Sequence, residues 1–166
     1  NINIQFGYYY TQLIPTFATK IEFTHGIKKI YEQACYHCKN LTSVTIPEGV
    51  TSIGKSAFAT CESLASITLP DSVTRMESYA FNGSGLTSIV LNNITYFGEN
   101  VFYGCEQLTD VTILSNVRNI NYTLFRNCEN LTNITVDENN PVYDSRNNCN
   151  AIIETATNTL VLGCKN

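Results

Sequence analysis

The stretch that decides the fold is VTSIGKSAFATCESLASITLP, which occupies residues 50–70. Its apolar residues follow a fixed order: two aliphatic residues three positions apart, then Ala-Phe, then Cys, then Leu, and a closing Ile-x-Leu-Pro. The same order returns upstream and downstream of this stretch with few changes. A unit that returns at a fixed interval indicates a repeat architecture, so every other motif has to be interpreted within the repeat.

Five consecutive units fit this pattern, and their spacings are 23, 23, 21 and 23 residues. The third unit is short because it loses one residue before Leu86 and another before the next unit, together with its proline. It also has Ser84 in the slot that Cys61 occupies in the second unit. The five units begin at Ile27, Val50, Val73, Ile94 and Val117.

The segment that follows each conserved leucine alternates polar and apolar residues. Val44 and Ile46 fall on one side and Ser43 and Thr45 on the other, which is typical of a half-buried strand. Units of this length bury their apolar face only by stacking on neighbours. We therefore predict a mainly β leucine-rich repeat solenoid with one parallel strand per turn of ~23 residues and short helical turns, such as residues 56–61, on the convex side.

The periodicity divides the chain into three parts. Residues 1–26 are interpreted as an N-terminal cap with a degenerate half-repeat, and residues 27–136 as the five leucine-rich repeats. Residues 137–166 lack the period and contain two apolar-rich segments around residues 156–158, which predicts a C-terminal hairpin insert or cap. Cys149 and Cys164 are equidistant from the centre of this hairpin, and whether they form a disulfide stays open.

The composition excludes two classes of partner. Ten Lys+Arg against fourteen Asp+Glu give a formal charge of -4, and the chain has no basic block with which to bind nucleic acid. No run approaches the ~18 apolar residues that span a bilayer, so we expect no direct membrane insertion. The 20 Asn and 20 Thr residues against 8 Ala favour strands and turns over helices.

Residues 41–47 and 50–61 strongly resemble the BspA-like, or treponemal-type, class of leucine-rich repeats, and the match covers roughly residues 21–136. The resemblance implies a secreted or surface-anchored protein of host-associated bacteria, with no catalytic activity and no cofactor. It also implies adhesion to protein or glycan ligands on host matrix or on neighbouring cells. The tail from residue 140 resembles an insert that further repeats usually follow, so we expect a longer protein with its signal or anchor outside this segment.

The outward positions of the strands form two columns, which make up the candidate ligand-binding site. Successive parallel strands lie ~4.8 Å apart, so we predict a flat lattice of short hydrogen-bonding groups on the concave face. This lattice suits a macromolecular ligand bound weakly or multivalently, because it lacks the large aromatic and Arg anchors of tight interfaces. The columns are Ser43, Ser66, Ser88, Asp110 and Asn133, and Thr45, Thr68, Val90, Thr112 and Thr135.

Two other interpretations of these columns remain open. The residues suit exposed strand positions whether or not they bind anything, and their Ser-x-Thr regularity resembles surfaces that order water in ice-binding solenoids. The corresponding function from another class is a structural spacer that has no ligand of its own.

The Cys35-Tyr-His37-Cys38 sequence taken alone suggests a redox motif or half of a zinc site. Within the repeat, however, Cys38 occupies the slot of Cys61, Cys105 and Cys128, and Cys35 occupies the slot of the repeated phenylalanine. Because free cysteine packs as a small hydrophobe, we predict a buried, reduced ladder of thiols here rather than a metal site.

The remaining candidates are weaker. The Tyr8-Tyr9-Tyr10 cluster is either a binding surface or a cap on the core, and we favour the cap. Asp137, Glu138 and Asp144 offer carboxylates for calcium without the spacing of a calcium loop. The sequence has no nucleophile elbow and no glycine-rich phosphate loop, so we predict no enzyme.

Overall fold

The computed structural model describes residues 2–4 and 14–164, the first of these ranges by backbone alone. Within these residues no helix is both long and apolar enough to cross a membrane. A 3₁₀ helix spans Arg146–Asn148. The strands are β1 Ile2–Ile4, β2 Lys20–Phe23, β3 Lys29–Ile30, β4 Ser43–Thr45, β5 Ser52–Ile53, β6 Arg75–Met76, β7 Ser88–Leu91, β8 Tyr96–Phe97, β9 Asp110–Ile113, β10 Asn133–Val136, β11 Tyr143–Asp144, β12 Ala151–Glu154 and β13 Thr159–Gly163.

The strands before β11 pair in parallel and in repeat register. One side of the solenoid carries two three-stranded sheets, β1-β2-β4 and β7-β9-β10, and another side carries the four-stranded sheet β3-β5-β6-β8. Ile30, Ile53, Met76 and Phe97 are register partners across the four-stranded sheet, at the 23, 23 and 21 residue intervals of the sequence. The leucine-rich repeat solenoid predicted from the spacing is confirmed.

A stack of four phenylalanine rings runs through the core. Consecutive ring centroids lie 5.2, 5.4 and 5.2 Å apart with interplanar angles of 10° to 14°, which is the separation expected of stacked aromatic pairs. In the first turn Cys35 stands in this slot, and the ring of Phe23 meets Phe58 edge-on at 6.4 Å. Phe23 thus ends the stack where the repeat departs from its pattern. The stacked rings are Phe58, Phe81, Phe102 and Phe125.

Residues 55–60 form consecutive hydrogen-bonded turns rather than a regular helix. The N–H of Ala57 donates to the Gly54 carbonyl inside the segment at 3.2 Å, whereas the N–H of Phe58 donates to the Ala80 carbonyl of the next turn at 2.7 Å. A helix would direct both N–H groups along its own axis, so bonding between turns has replaced it. The same slot has a positive φ in four turns, at Gln33, Ser56, Tyr79 and Asn100.

Threonine hydroxyls add a second set of bonds between turns. Each one donates to a backbone carbonyl of the preceding turn, at distances of 3.0 to 3.5 Å. Each carbonyl also accepts the backbone N–H of the same threonine, so the hydroxyl supplies a second bond to it and accounts for part of the high threonine content. The threonines are Thr42, Thr51, Thr74, Thr87, Thr95 and Thr109.

The C-terminal segment closes the last turn with an antiparallel sheet, β11-β12-β13. Ile152 of β12 is fully buried in the solenoid core. The Tyr143 hydroxyl accepts the N–H of Ile120 at 2.9 Å, and Ser145 Oγ donates to the Ile134 carbonyl of β10 at 3.0 Å. The predicted hairpin therefore covers the end of the repeat stack.

Gly85 lies at the point where the third unit is one residue short, and a Cβ there would sit 2.0 Å from the Glu62 carbonyl oxygen. We predict that Gly85→Ala lowers the free energy of unfolding by about 3 kcal/mol, near the upper end for overpacking. Gly104→Ala is the control, because it has open space but a φ of +64°, and a left-handed alanine costs about 1 kcal/mol. Urea denaturation measures both, and equal losses would contradict the close approach at Gly85.

Candidate functional site: the polar strand face

The predicted outward residues lie on one surface, which we call the polar strand face. Along β9, Val111 and Ile113 are buried, whereas Asp110 is exposed and Thr112 is half-buried. The alternation predicted from the sequence is therefore present in the strand. Across β7, β9 and β10 the register partners are Ser88, Asp110 and Asn133 in one column, and Val90, Thr112 and Thr135 in the other.

Hydrogen bonds between neighbouring turns hold the face in one arrangement. Asp110 Oδ1 accepts from Asn133 Nδ2 at 2.9 Å, and Asp110 Oδ2 accepts from Thr109 Oγ1 at 2.6 Å. These two bonds stabilise the carboxylate and lower the pKa of Asp110, the Thr109 bond more strongly. Thr112 and Thr135 share a hydroxyl bond of 3.2 Å. These bonds hold the side chains of the face in place.

The columns extend one turn further toward the N-terminus than the sequence interpretation placed them. Lys20 and Glu22 of β2 are register partners of Ser43 and Thr45, and they form an ion pair of 2.8 Å. Lys20 lowers the pKa of Glu22 by this hydrogen bond and by its charge. In the sequence, these positions are indicated by the half-repeat around Ile21. Ile21 lies between Lys20 and Glu22 in β2, and its side chain is fully buried.

The face is interrupted at its second turn. Residues 66–69 occupy the slot that corresponds to β4 and β7, yet they belong to neither neighbouring sheet. Within the described part of the chain, no backbone hydrogen bond joins these four residues to either strand. Ser66 and Thr68 therefore lie outside the paired strands, although both side chains are exposed as expected. The interruption lies next to the turn in which Leu86 follows a one-residue deletion.

A groove of about 380 Å³ lies between residues 66–69 and β7. Half-buried Ile67 and Leu69 contribute apolar surface, and Val90 of β7 is 52% exposed. At one end Asn92 Nδ2 donates to Asp71 Oδ1 at 2.6 Å. Asp71 is the one charged side chain among the described residues that line the groove. The sequence signal for this groove was a valine in an otherwise polar column.

The Cys35-Tyr-His37-Cys38 segment contributes to the core. Cys35 and Cys38 are fully buried, whereas His37 is exposed and its Nδ1 lies 3.1 Å from Thr60 Oγ1. Cys61 Sγ donates to the Cys35 carbonyl at 3.2 Å, and burial raises the pKa of the Cys61 thiol to about 12. The burial of the thiol ladder predicted from the repeat is confirmed. Across the described residues, no group of three or more His, Cys, Asp or Glu side chains is placed to hold a metal ion.

The other candidates do not converge on a site. Cys149 is exposed, Cys164 is half-buried, and both are free thiols. Asp144 accepts from Arg146 at 2.6 Å and from Thr155 at 3.0 Å, and these bonds lower its pKa to about 2. That carboxylate is thus already paired with a guanidinium. The Tyr8-Tyr9-Tyr10 cluster lies outside the described residues.

Comparison with known proteins points to one repeat family. A family model described as the BspA type leucine rich repeat region matches residues 28–152 in six copies. No curated protein matches the chain.

Solved structures of bacterial leucine-rich repeat proteins share the fold. The protein from Eubacterium ventriosum has a TM-score of 0.71 and 30% identity, over 82% of this chain and 36% of that one. The Treponema pallidum protein has a TM-score of 0.65 and 30% identity, over 70% of this chain and 58% of that one. The Bacteroides ovatus protein has a TM-score of 0.59 and 25% identity, over 73% of this chain and 38% of that one. The chain spans less than two thirds of the length of each.

The burial of the thiol ladder predicts which cysteines react. In the native protein at pH 8, an aromatic disulfide reagent should modify Cys149 and Cys164 within minutes, because they are the exposed and half-buried thiols. The five buried thiols should react only after unfolding in urea, which mass spectrometry of labelled peptides will resolve. Rapid native labelling of Cys61 would contradict the packing.

Removal of either hydrogen bond to Asp110 should raise its pKa, and Thr109→Val should raise it more than Asn133→Ala. The folded pKa lies below the unfolded value of about 3.9, so the bonds stabilise the fold above that pH and lose this effect as pH falls through the folded pKa. Carbon-detected NMR titration of the carboxyl group measures the change. An unchanged titration in both variants would show that the two bonds do not hold the carboxylate.

Proposed function

Because the chain belongs to the BspA-type leucine-rich repeat family, we propose that it is a binding module that recognises host matrix or cell-surface macromolecules through the polar strand face. The observation that carries the proposal is the pair of register columns across β7, β9 and β10. They repeat the same short polar groups from turn to turn on a rigid support. An extended surface of this kind suits a long ligand that contacts several turns at once.

The chemistry of the face supports binding without catalysis. Its side chains are hydroxyls, amides and carboxylates that accept and donate hydrogen bonds, and Asp110 is held as a carboxylate by its two neighbours. The proposed ligands are proteins or glycans outside the cell, with the protein secreted or at the cell surface. Since large anchoring side chains are few on this face, affinity arises from repeated weak contacts and from multivalent display.

A structural spacer is the second candidate function. The observation that favours it is that the face satisfies its own hydrogen bonds, as in the Thr112–Thr135 and Asp110–Asn133 pairs. A ligand that replaces these bonds gains less than one that meets free groups. A spacer needs no ligand. Under this hypothesis, substitutions that reverse the charge of the polar strand face leave the function unchanged.

The test compares two triple-lysine variants with the wild-type chain. Thr68, Asp110 and Thr112 are changed to Lys on the polar strand face, and the control changes Glu99, Asn119 and Tyr122 to Lys at exposed positions away from it. Both variants raise the formal charge by the same amount. Binding to immobilised fibronectin, laminin, collagen and a glycan panel is measured by surface plasmon resonance at 50 and 150 mM NaCl.

The proposal expects saturable binding that falls at least tenfold in the face variant and is retained in the control. Circular dichroism melting curves establish that both variants are folded. Equal binding by both variants would overturn the role of the polar strand face. No binding by the wild-type chain to any surface would favour the spacer.

A further inference from the structure

We propose that the outward face of the four-stranded sheet β3-β5-β6-β8 binds a linear sulfated polysaccharide. This face is a different surface from the polar strand face, so the proposal goes beyond the function proposed above and does not depend on it. It rests on the distribution of charge, on the spacing of the cations and on the hydroxyl groups between them. We call this surface the basic sheet face, and its two columns are Lys28, Thr51, Thr74, Thr95 and Arg118, and Lys29, Ser52, Arg75, Tyr96 and Asn119.

Backbone hydrogen bonds align the two columns from one turn to the next. In the first column the N–H groups of Thr51, Thr74 and Thr95 donate to carbonyls of the preceding turn at 2.8, 3.0 and 2.8 Å. In the second column the residues of the first four turns are successive register partners. The fifth turn continues the stack, because Asn121 Nδ2 donates to the Gly98 carbonyl at 3.2 Å. The columns therefore extend across five turns.

The charge of this face has the opposite sign to that of the whole chain. The two columns contain four cationic residues and no Asp or Glu, whereas the chain has a formal charge of -4. Arg75 is paired with Glu77, which lies beside the columns, at 2.6 Å. Lys28, Lys29 and Arg118 are exposed, and none of them forms an ion pair within the part of the chain that the structure describes. An anionic ligand would therefore meet three cations that have no competing carboxylate.

Arg75 is held in place at the centre of the face. Its guanidinium carbon lies 3.6 Å from the ring centroid of Tyr96, and its Nε donates to Glu77 Oε1 at 2.6 Å. The side chain is nevertheless 45% exposed, so it can still contact a ligand. A side chain that is already ordered loses less conformational entropy on binding. Since Arg75 stacks on the one aromatic ring of the two columns, that ring is not free to stack on a nucleic acid base.

The cations recur at every second turn. Lys28 and Lys29 belong to the first turn, Arg75 to the third and Arg118 to the fifth. Adjacent parallel strands lie about 4.8 Å apart, so the cations recur about every 10 Å along a row of about 19 Å. A linear polysaccharide with sulfate groups on each disaccharide unit carries its anionic groups at a similar interval. Double-stranded DNA carries one charge per about 1.7 Å, which is far denser than the cations of this face.

Hydroxyl groups line the first column between its two cations. Thr51, Thr74 and Thr95 each donate the hydroxyl proton to a carbonyl of the preceding turn, at 3.1 to 3.5 Å. Each hydroxyl oxygen therefore remains available as an acceptor. The hydroxyl groups of a sugar can donate to these oxygens, whereas ionised sulfate and phosphate groups cannot. A ligand with both sulfate and hydroxyl groups thus suits this face better than a chain of phosphates.

The test measures binding of the whole chain to immobilised heparin by surface plasmon resonance at 50 and 150 mM NaCl. The competitors in solution are a heparin octasaccharide, a heparin disaccharide, fully desulfated heparin and a 12-base-pair DNA duplex. The face variant carries Lys28→Gln, Lys29→Gln and Arg118→Gln. The control variant loses the same three charges at exposed positions outside the two columns, through Lys39→Gln, Lys55→Gln and Arg126→Gln. Circular dichroism melting curves establish that both variants are folded.

The proposal expects saturable binding to heparin that is at least tenfold weaker in the face variant and changes less than twofold in the control. Desulfated heparin and the disaccharide, which is too short to join the first turn to the fifth, should compete at least tenfold more weakly than the octasaccharide. Equal losses in the two variants would overturn the assignment to this face. The absence of heparin binding by the wild-type chain, or competition by DNA as strong as that by the octasaccharide, would overturn the sulfated polysaccharide.

The two proposals can fail separately. If heparin binding is lost in the face variant but retained in the triple-lysine variant of the polar strand face, this proposal stands whatever the matrix surfaces show. If heparin binding instead falls tenfold in the triple-lysine variant and is retained in the face variant, the polysaccharide binds to the polar strand face and this proposal is wrong.

Discussion

The structure depends on the stacking of side chains at equivalent repeat positions from one turn to the next. No single turn encloses its own apolar side chains, so Phe81 is buried only because Phe58 and Phe102 lie on either side of it. The backbone follows the same rule, since N–H groups such as that of Phe58 bond to the next turn rather than to their own. Stability in this fold therefore comes from interfaces between turns, and a change at one slot affects both neighbours.

The third unit shows how the stack accommodates a defect. Its two deletions leave Met76 and Phe97 in register on the four-stranded sheet, but the opposite side loses its strand pairing at residues 66–69. Gly85 permits the close approach to the Glu62 carbonyl that the shorter connection requires. The core remains continuous through this turn while the polar strand face opens. The defect thus produces the groove without breaking the solenoid.

The polar strand face combines a rigid part with an unsatisfied part. On β9 and β10, Asp110 and Asn133 bond to each other and are ordered before any ligand arrives. At residues 66–69 the backbone has no partner in the neighbouring sheets. A ligand gains most where it supplies hydrogen bonds that the protein lacks, because it replaces only water there.

The sequence by itself determined the repeat, the slots of Phe58, Cys61 and Leu64 in the core, and the membership of the outward columns. It did so because a fixed period assigns every slot to one environment. Tertiary structure alone decided the turns at residues 55–60 and the open segment at 66–69. These features depend on whether two neighbouring backbones come within hydrogen-bonding distance, and a local pattern of side chains does not specify that distance.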